Sequence, residues 1–252
     1  MSDNVKSFIR QEYSKIARQE KNSCCGGDCS CTASFELGYT KEDLKNAPSN
    51  SNMGLGSGNP VSYAGLKEGE TVLDLGCGGG FDCFLARKEV GEKGYVIGVD
   101  MTPDMINLSK ANLLKTSYQN IDFKLGEIEH LPVDNETIDV IISNCVINLS
   151  LDKRQVFKET YRVLKKGGRL SIFDSIAIRE IPQEIRQDLF LHSSCIAGAQ
   201  SADSIKSMLE EAGFSEIELT MKDQKEQSSC SCSSMENNGK YTASYLIQAK
   251  KI

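Results

Sequence analysis

What this sequence has little of narrows its function first. Its 252 residues include only two histidines, His130 and His192, so a reaction built on an imidazole base has few candidates. Basic residues number 29 against 35 acidic ones, for a net charge of −6. A phosphate-binding face needs the opposite balance, which argues against nucleic acid as a partner. No apolar run approaches the roughly 20 residues needed to cross a bilayer. The opening stretch MSDNVKSFIRQEYSKIARQ lacks the apolar core of a signal peptide. The expectation is a cytoplasmic chain with no membrane partner. Composition is ordinary for a globular domain, and the length allows one large α/β domain with appendages.

Against these shortages stands a surplus of cysteine, ten in all. A reducing compartment disfavours structural disulfides. Cys24, Cys25, Cys29 and Cys31 cluster in KNSCCGGDCSCTA, and Cys230 with Cys232 in a second polar stretch. Clustered thiols of this kind point to a soft metal or to redox chemistry.

Hydrophobic periodicity predicts an amphipathic helix over residues 4–18 and a short polar helix from Thr40 to Asn46. The Gly- and Cys-rich residues 21–33 and the Pro/Gly/Ser/Asn-rich residues 48–60 read as loops. From Val61 onward strands and helices alternate. Strands are expected at Thr71–Gly76, Tyr95–Asp100, Ile121–Glu127, Ile138–Asn144 and Arg169–Ser175. Helices are expected at 80–90, from a Thr102 cap through Lys115, and at Lys153–Leu164, the last stopped by Gly167–Gly168. Residues 181–199 interrupt the alternation and read as mostly helical. A helix capped by Ser201 and strands at Glu216–Met221 and Thr242–Lys250 complete the chain. The pattern implies a mostly parallel seven-stranded α/β sheet with helices on both faces and an antiparallel last strand. The sixth strand then ends on the ligand face, where Cys145 closes DVIISNC at the carboxyl end of strand four.

The first strand runs into DLGCGGGF. A dinucleotide fingerprint starting at Gly76 would need glycine where Phe81 stands. The observed D-x-G-x-G-x-G instead resembles motif I of the class I S-adenosylmethionine-dependent methyltransferases. Asp100 ends the second strand where a carboxylate could take both ribose hydroxyls, and GEIEHLP (126–132) resembles the adenine-side motif. The resemblance covers about residues 61–252. It implies an S-adenosylmethionine-dependent methyltransferase domain of the Rossmann-like class. It assigns Gly76, Gly78 and Gly80 to the turn and Asp74 to the methionine end. Asp100 would hold ribose, Met101, Glu127 and Ile128 would border adenine, and Asn144 would lie near the methionine moiety.

Oxygen and nitrogen acceptors often need a general base, and none stands out at the strand ends. Cys145 and Cys195 do. Thiolates bind thiophilic centres, and trivalent arsenic held by sulfur keeps a lone pair that needs no base. SNCVINLS (143–150) and CIAGA (195–199) closely resemble arsenite S-adenosylmethionine methyltransferases. That resemblance implies that Cys145 and Cys195 bind arsenic. It draws a third thiol from the N-terminal cluster: Cys24 and Cys25 as ligand candidates, Cys25 as the candidate catalytic thiol, Cys29 and Cys31 as alternatives. Cys230 and Cys232 would be accessory thiols. Residues 1–60 would cap the active site, and residues 181–200 would form an inserted substrate-binding segment. The substrate would be arsenite or its thiol conjugates, with glutathione or thioredoxin as reductant. One departure stands out: many members have cysteine where this chain has Ser57. Cys77 and Cys83 read as packing residues, and His192 as a solvent-facing one. The rival readings are a methyltransferase for a quinone or similar metabolite, indifferent to Cys145 and Cys195, and a non-catalytic soft-metal binder using Cys24–Cys31.

Overall fold

The computed structural model describes residues 2–18, 34–222 and 238–252. Cys24, Cys25, Cys29, Cys31, Cys230 and Cys232, and the loop reading of residues 21–33, lie outside the described residues. Helix α1 (Ser2–Ala17) precedes a short α2 (Lys41–Asn46), which Thr40 opens with a reciprocal capping box to Asp43. A 3-10 turn (Ser49–Ser51) and α3 (Pro60–Tyr63) lead into β1 (Thr71–Leu75). Then follow α4 (Phe81–Val90), β2 (Tyr95–Asp100), α5 (Pro103–Leu113), β3 (Ile121–Leu125), β4 (Ile138–Asn144), α6 (Lys153–Val163) and β5 (Leu164–Ala177). Two short helices, α7 (Gln183–Arg186) and α8 (Leu189–Ser193), occupy the interrupting segment. The chain continues through α9 (Ala202–Ala212), β6 (Ser215–Met221), α10 (Asn238–Tyr241) and β7 (Thr242–Lys250).

The sheet order is β3-β2-β1-β4-β5-β7-β6. β1 through β5 pair in parallel, while β7 runs antiparallel between β5 and β6. β6 is therefore parallel to the first five, as the long-hairpin reading requires. Val140, Ile141 and Ile142 of β4 are fully buried, because a central parallel strand is covered on both faces. One apolar layer gathers Leu73, Leu75, Ile141, Phe157, Ile172 and Leu209. The other gathers Val72, Val96, Phe84, Phe123, Val140 and Ile142.

Three local expectations are corrected. Thr102 stands at the cap of α5, but its side chain makes no capping bond; Pro103 starts the helix. Gly167 and Gly168 do not end α6. They lie inside β5, which starts at Leu164 opposite Ile138 and passes through a register shift before Arg169 meets Val140. β3 stops at Leu125, and Glu127 instead bridges His130.

Candidate active site

β1, β2 and β4 end at the same edge: Leu75 lies opposite Val99 on one side and Ser143 on the other. A cleft opens there, as expected at the switch point of a parallel sheet. The turn after β1 forms its floor. Gly76 has φ +70°, and a Cβ there would stand 2.2 Å from Val146 Cγ2, so only glycine fits. Gly78, at φ +51°, turns its amide to donate to Asp100 Oδ2 at 3.0 Å. The Thr102 amide donates to Oδ1 at 2.8 Å. Burial raises the Asp100 carboxyl above its ordinary range, and these two amides pull it partly back. The carboxylate is thus fixed between two amides, with lone pairs left to face the cleft.

Asp74, Met101, Ile128, Asn144 and Cys145 line the same cleft. Gly80 lies behind it, capping α4 in a left-handed conformation. Glu127 is not among the lining residues. It is drawn to α1 by Lys6 at 2.7 Å and by Arg10, and the Lys6 hydrogen bond leads in lowering its carboxyl. Glu129 lines the wall instead, accepting from Ser150 Oγ at 2.8 Å and facing Lys6 at 3.2 Å.

Two further lining residues escaped the sequence reading. Tyr39 Oη donates to Asp82 Oδ1 at 2.7 Å and accepts from Asn144 Nδ2 at 2.9 Å. Asn144 Nδ2 also donates to Gly58 O at 2.8 Å, and its Oδ1 accepts the Ser57 amide at 2.8 Å. Burial pushes Asp82 up to about 6, and the Tyr39 and Asn144 hydrogen bonds pull against it. Asp74, also buried, accepts from Cys83 Sγ at 3.2 Å and is raised well above its ordinary value by burial and by Asp82. Two carboxyls thus sit under the far end of the cleft. In sequence Asp82 looks like an ordinary acid in the first turn of a helix, and Tyr39 belongs to no motif.

The thiol end is built from chain segments fifty residues apart. Cys145 leaves β4 with its amide bonded to Phe173 O at 2.7 Å. Cys195 lies just past α8, buried, and its Sγ donates to Cys145 O at 3.1 Å. The two sulfurs and an Asp174 carboxylate oxygen all lie within 4.8 Å of one another. Cys145 has φ +58° and Cys195 φ +60°, two of only four non-glycine residues with positive φ among the described residues. Such a conformation costs about 1–2 kcal/mol per residue and concentrates at functional sites.

Asp174 is held by the amides of Ile147 and Ser175 at 2.8 and 2.7 Å and by Asn148 Nδ2 at 2.8 Å. Burial still raises it to about 6. Lys153, buried below, donates to Ser150 O at 2.8 Å and is pushed down to about 8 by burial. The hydrogen bond to Cys145, then burial, drives the Cys195 thiol well above its ordinary value. Gly198 lets the Cys195 loop close on the sheet, since a Cβ there would stand 2.1 Å from Asn148 O. His192 is a correction: it is buried, not solvent-facing. Its Nε2 lies 3.3 Å from Leu149 O, and burial lowers its pKa.

α1 contributes one wall of the cleft. Lys6, Ile9 and Tyr13 line the cleft, and Phe8 stacks edge-on against Phe190 of α8 at 5.1 Å. No helix among the described residues is long and apolar enough to cross a membrane.

This strand order with a glycine turn and a buried acid at the cleft defines a class I methyltransferase, and residues 66–213 match the family model described as a methyltransferase domain. An arsenite methyltransferase of Halobacterium salinarum is 41% identical over 99% of this chain and 67% of its own length. That of Mus musculus is 40% identical over 57% of this chain and 40% of its own length. A crystal structure of an arsenic(III) S-adenosylmethionine methyltransferase from Chlamydomonas reinhardtii is 32% identical, with a TM-score of 0.64 over 87% of this chain and 73% of that one. The chain belongs to the arsenite methyltransferase family. It spans about two thirds of the archaeal relative and well under half of the mouse one.

Proposed function

We propose that this chain transfers a methyl group from S-adenosylmethionine to trivalent arsenic held by the thiolates of Cys145 and Cys195. The observation that carries the reading is the pair itself. Two sulfurs from distant segments converge at the end of the cleft, each on a backbone conformation that only a local constraint maintains. The arsenical would enter as arsenite or as a thiol conjugate: each new As–S bond would replace an As–O bond, the thiol proton leaving with the hydroxyl as water, or an As–S bond of the conjugate, the proton leaving on the displaced thiol.

The cleft fits the donor. Its floor is a glycine turn that a Cβ would fill, and Asp100 is braced by two amides with lone pairs free for a ribose diol. Met101 and Ile128 would flank the base; Asp74, Asp82, Tyr39 and Asn144 would hold the amino-acid end. The donor supplies an electrophilic methyl. Arsenic supplies the electron pair, so the chain needs no general base. Its work is to orient both partners and exclude water, with α1 and the rest of residues 1–60 as a cap and residues 181–200 as the arm carrying Cys195. The third thiol would come from Cys24, Cys25, Cys29 or Cys31, with Cys25 as first candidate and Cys230 and Cys232 as accessory thiols. A cytoplasmic setting with glutathione or thioredoxin would keep these thiols reduced.

The test is arsenic speciation after incubation with arsenite, thiol and labelled S-adenosylmethionine. Cys145→Ser and Cys195→Ser should each lose transfer at least ~100-fold while calorimetric affinity for the donor stays within about threefold, because a hydroxyl is a poor ligand for a soft centre. Near-normal turnover in either variant would refute that residue's role. A wild type that methylates no arsenical would favour a metabolite acceptor instead.

A further inference from the structure

On α1, Val5, Ile9 and Tyr13 recur every fourth residue and so share one face. That face packs on an apolar cluster made of Ile9, Leu149 and Cys195, joined by Met101, Cys145 and Val146. Ile9 is fully buried. Tyr13 lines the cleft beside Cys145, and its Oη donates to Ser193 O at 3.2 Å, two residues before Cys195. The ring is therefore tethered at both ends, by its backbone on α1 and by its hydroxyl on the arm that carries the second thiol. It stays neutral: burial first, then the nearby Cys195 and Cys145, raise its phenol well above the ordinary range.

This geometry bears on what else an arsenic atom can carry. Two of its three bonds go to sulfur, and the one remaining substituent must point away from the sheet. On the sheet side stand Phe173 O, Cys145 O and the Asp174 carboxylate. On the open side stands the α1 face. Hydroxyl, methyl or a third thiolate is small or slender; an aryl ring has the bulk of the phenol already there.

Resting on the function proposed above, we infer that Tyr13 is a specificity-determining residue, a fixed wall that admits arsenite and small methyl arsenicals and excludes aryl arsenicals. A tethered side chain cannot swing aside, so the discrimination is steric. Such pockets separate substrates by about 10- to 200-fold.

The test compares kcat/KM for phenylarsenite and for arsenite in wild type, Tyr13→Phe, Tyr13→Leu and Tyr13→Ala. Both substrates use the same donor, so any effect of Tyr13 on donor binding cancels in the ratio. The phenylarsenite-to-arsenite ratio should rise at least ~10-fold in Tyr13→Ala and by a smaller factor in Tyr13→Leu. Tyr13→Phe, which loses only the tether, should move it least. Should Tyr13→Ala fail to fold, Tyr13→Leu keeps an apolar side chain on the buried face and decides the matter. A ratio unchanged in the folded variants, or a wild type that already prefers phenylarsenite, would overturn the inference. A wild type that methylates neither arsenical would refute the functional reading, and the inference would fall with it.

Discussion

Asp100→Ala tests the donor site at its most defined point. The carboxylate accepts from the Gly78 amide at 3.0 Å and the Thr102 amide at 2.8 Å, with a further hydrogen bond from the Thr102 side chain, so both oxygens are aimed. Each would take one hydroxyl of a diol. A hydrogen bond to a charged group contributes about 1.5–3 kcal/mol. Two at the low end make ~3 kcal/mol, about 100-fold in affinity. Folding should suffer less. The variant orphans two amides, yet it also removes a carboxylate whose burial is unfavourable enough to raise its pKa. Asp100→Asn should fall between, because one face of its amide is a donor pointed at a donor. Titration calorimetry with S-adenosylmethionine, alongside urea denaturation of the free protein, separates binding from stability. The pH dependence follows in sign. Donor binding needs the ionised form, and the carboxyl is raised. Affinity should therefore fall on acidification starting above the ordinary aspartate range, and Asp100→Ala should remove its own share of that dependence and leave that of Asp74 and Asp82. Affinity within threefold of wild type would refute the assignment.

Lys153 is buried and pushed down to about 8 from 10.5. The unfolded chain binds more protons at Lys153 between those values, so this residue contributes a rise of stability with pH of up to ~3 kcal/mol across that window, against the opposite slope of the buried thiols Cys77, Cys83 and Cys195. Lys153→Met should remove that contribution from the urea midpoints; an unchanged slope would contradict the burial. Ser57 Oγ is buried with no hydrogen-bond partner among the described residues. Ser57→Ala should therefore raise stability by ~1 kcal/mol, and a loss would mean that the hydroxyl is paired. Ser57→Cys should lessen the dependence of turnover on an external dithiol, read as product per enzyme with monothiol alone.

The fold was legible because its elements are locally consistent. VII in β4 is an unbroken apolar run of the kind a two-sided parallel sheet needs, and the structure sets it beside Val72 and Leu73 of β1. The misses share one cause: they depend on partners distant in sequence. The β5 start at Leu164 is set by Ile138 across the sheet, which no helix-stop signal at Gly167 could reveal. His192 is polar and three residues from a helix start, and only Leu149 O and the closing Gly198 loop make it a buried residue. Glu127 matched a motif position, and its ion pairs with Lys6 and Arg10 of α1 likewise depend on residues far off in sequence.

The thiol site shows the same limit more sharply. Cys145 and Cys195 could be singled out by their surrounding motifs, but nothing in those letters shows that both stand at positive φ. The reason lies in what surrounds each. The Cys145 amide is taken by Phe173 O, which continues the β4–β5 ladder one residue past the strand. The next turn must then lift Ile147 onto the Asp174 carboxylate. The chain can make that reversal in the space of Cys145 and Val146 only through a left-handed step. Cys195 is bound at both ends as well. Its amide goes back to His192 O, and its carbonyl accepts from Asn148 Nδ2 at 3.4 Å, the same side chain that grips Asp174. Asn148 thus joins the two thiol-bearing segments through a buried acid. The strain at each cysteine offsets part of the stability those bonds contribute, and under the proposed function the same bonds would hold the sulfurs together before arsenic arrives.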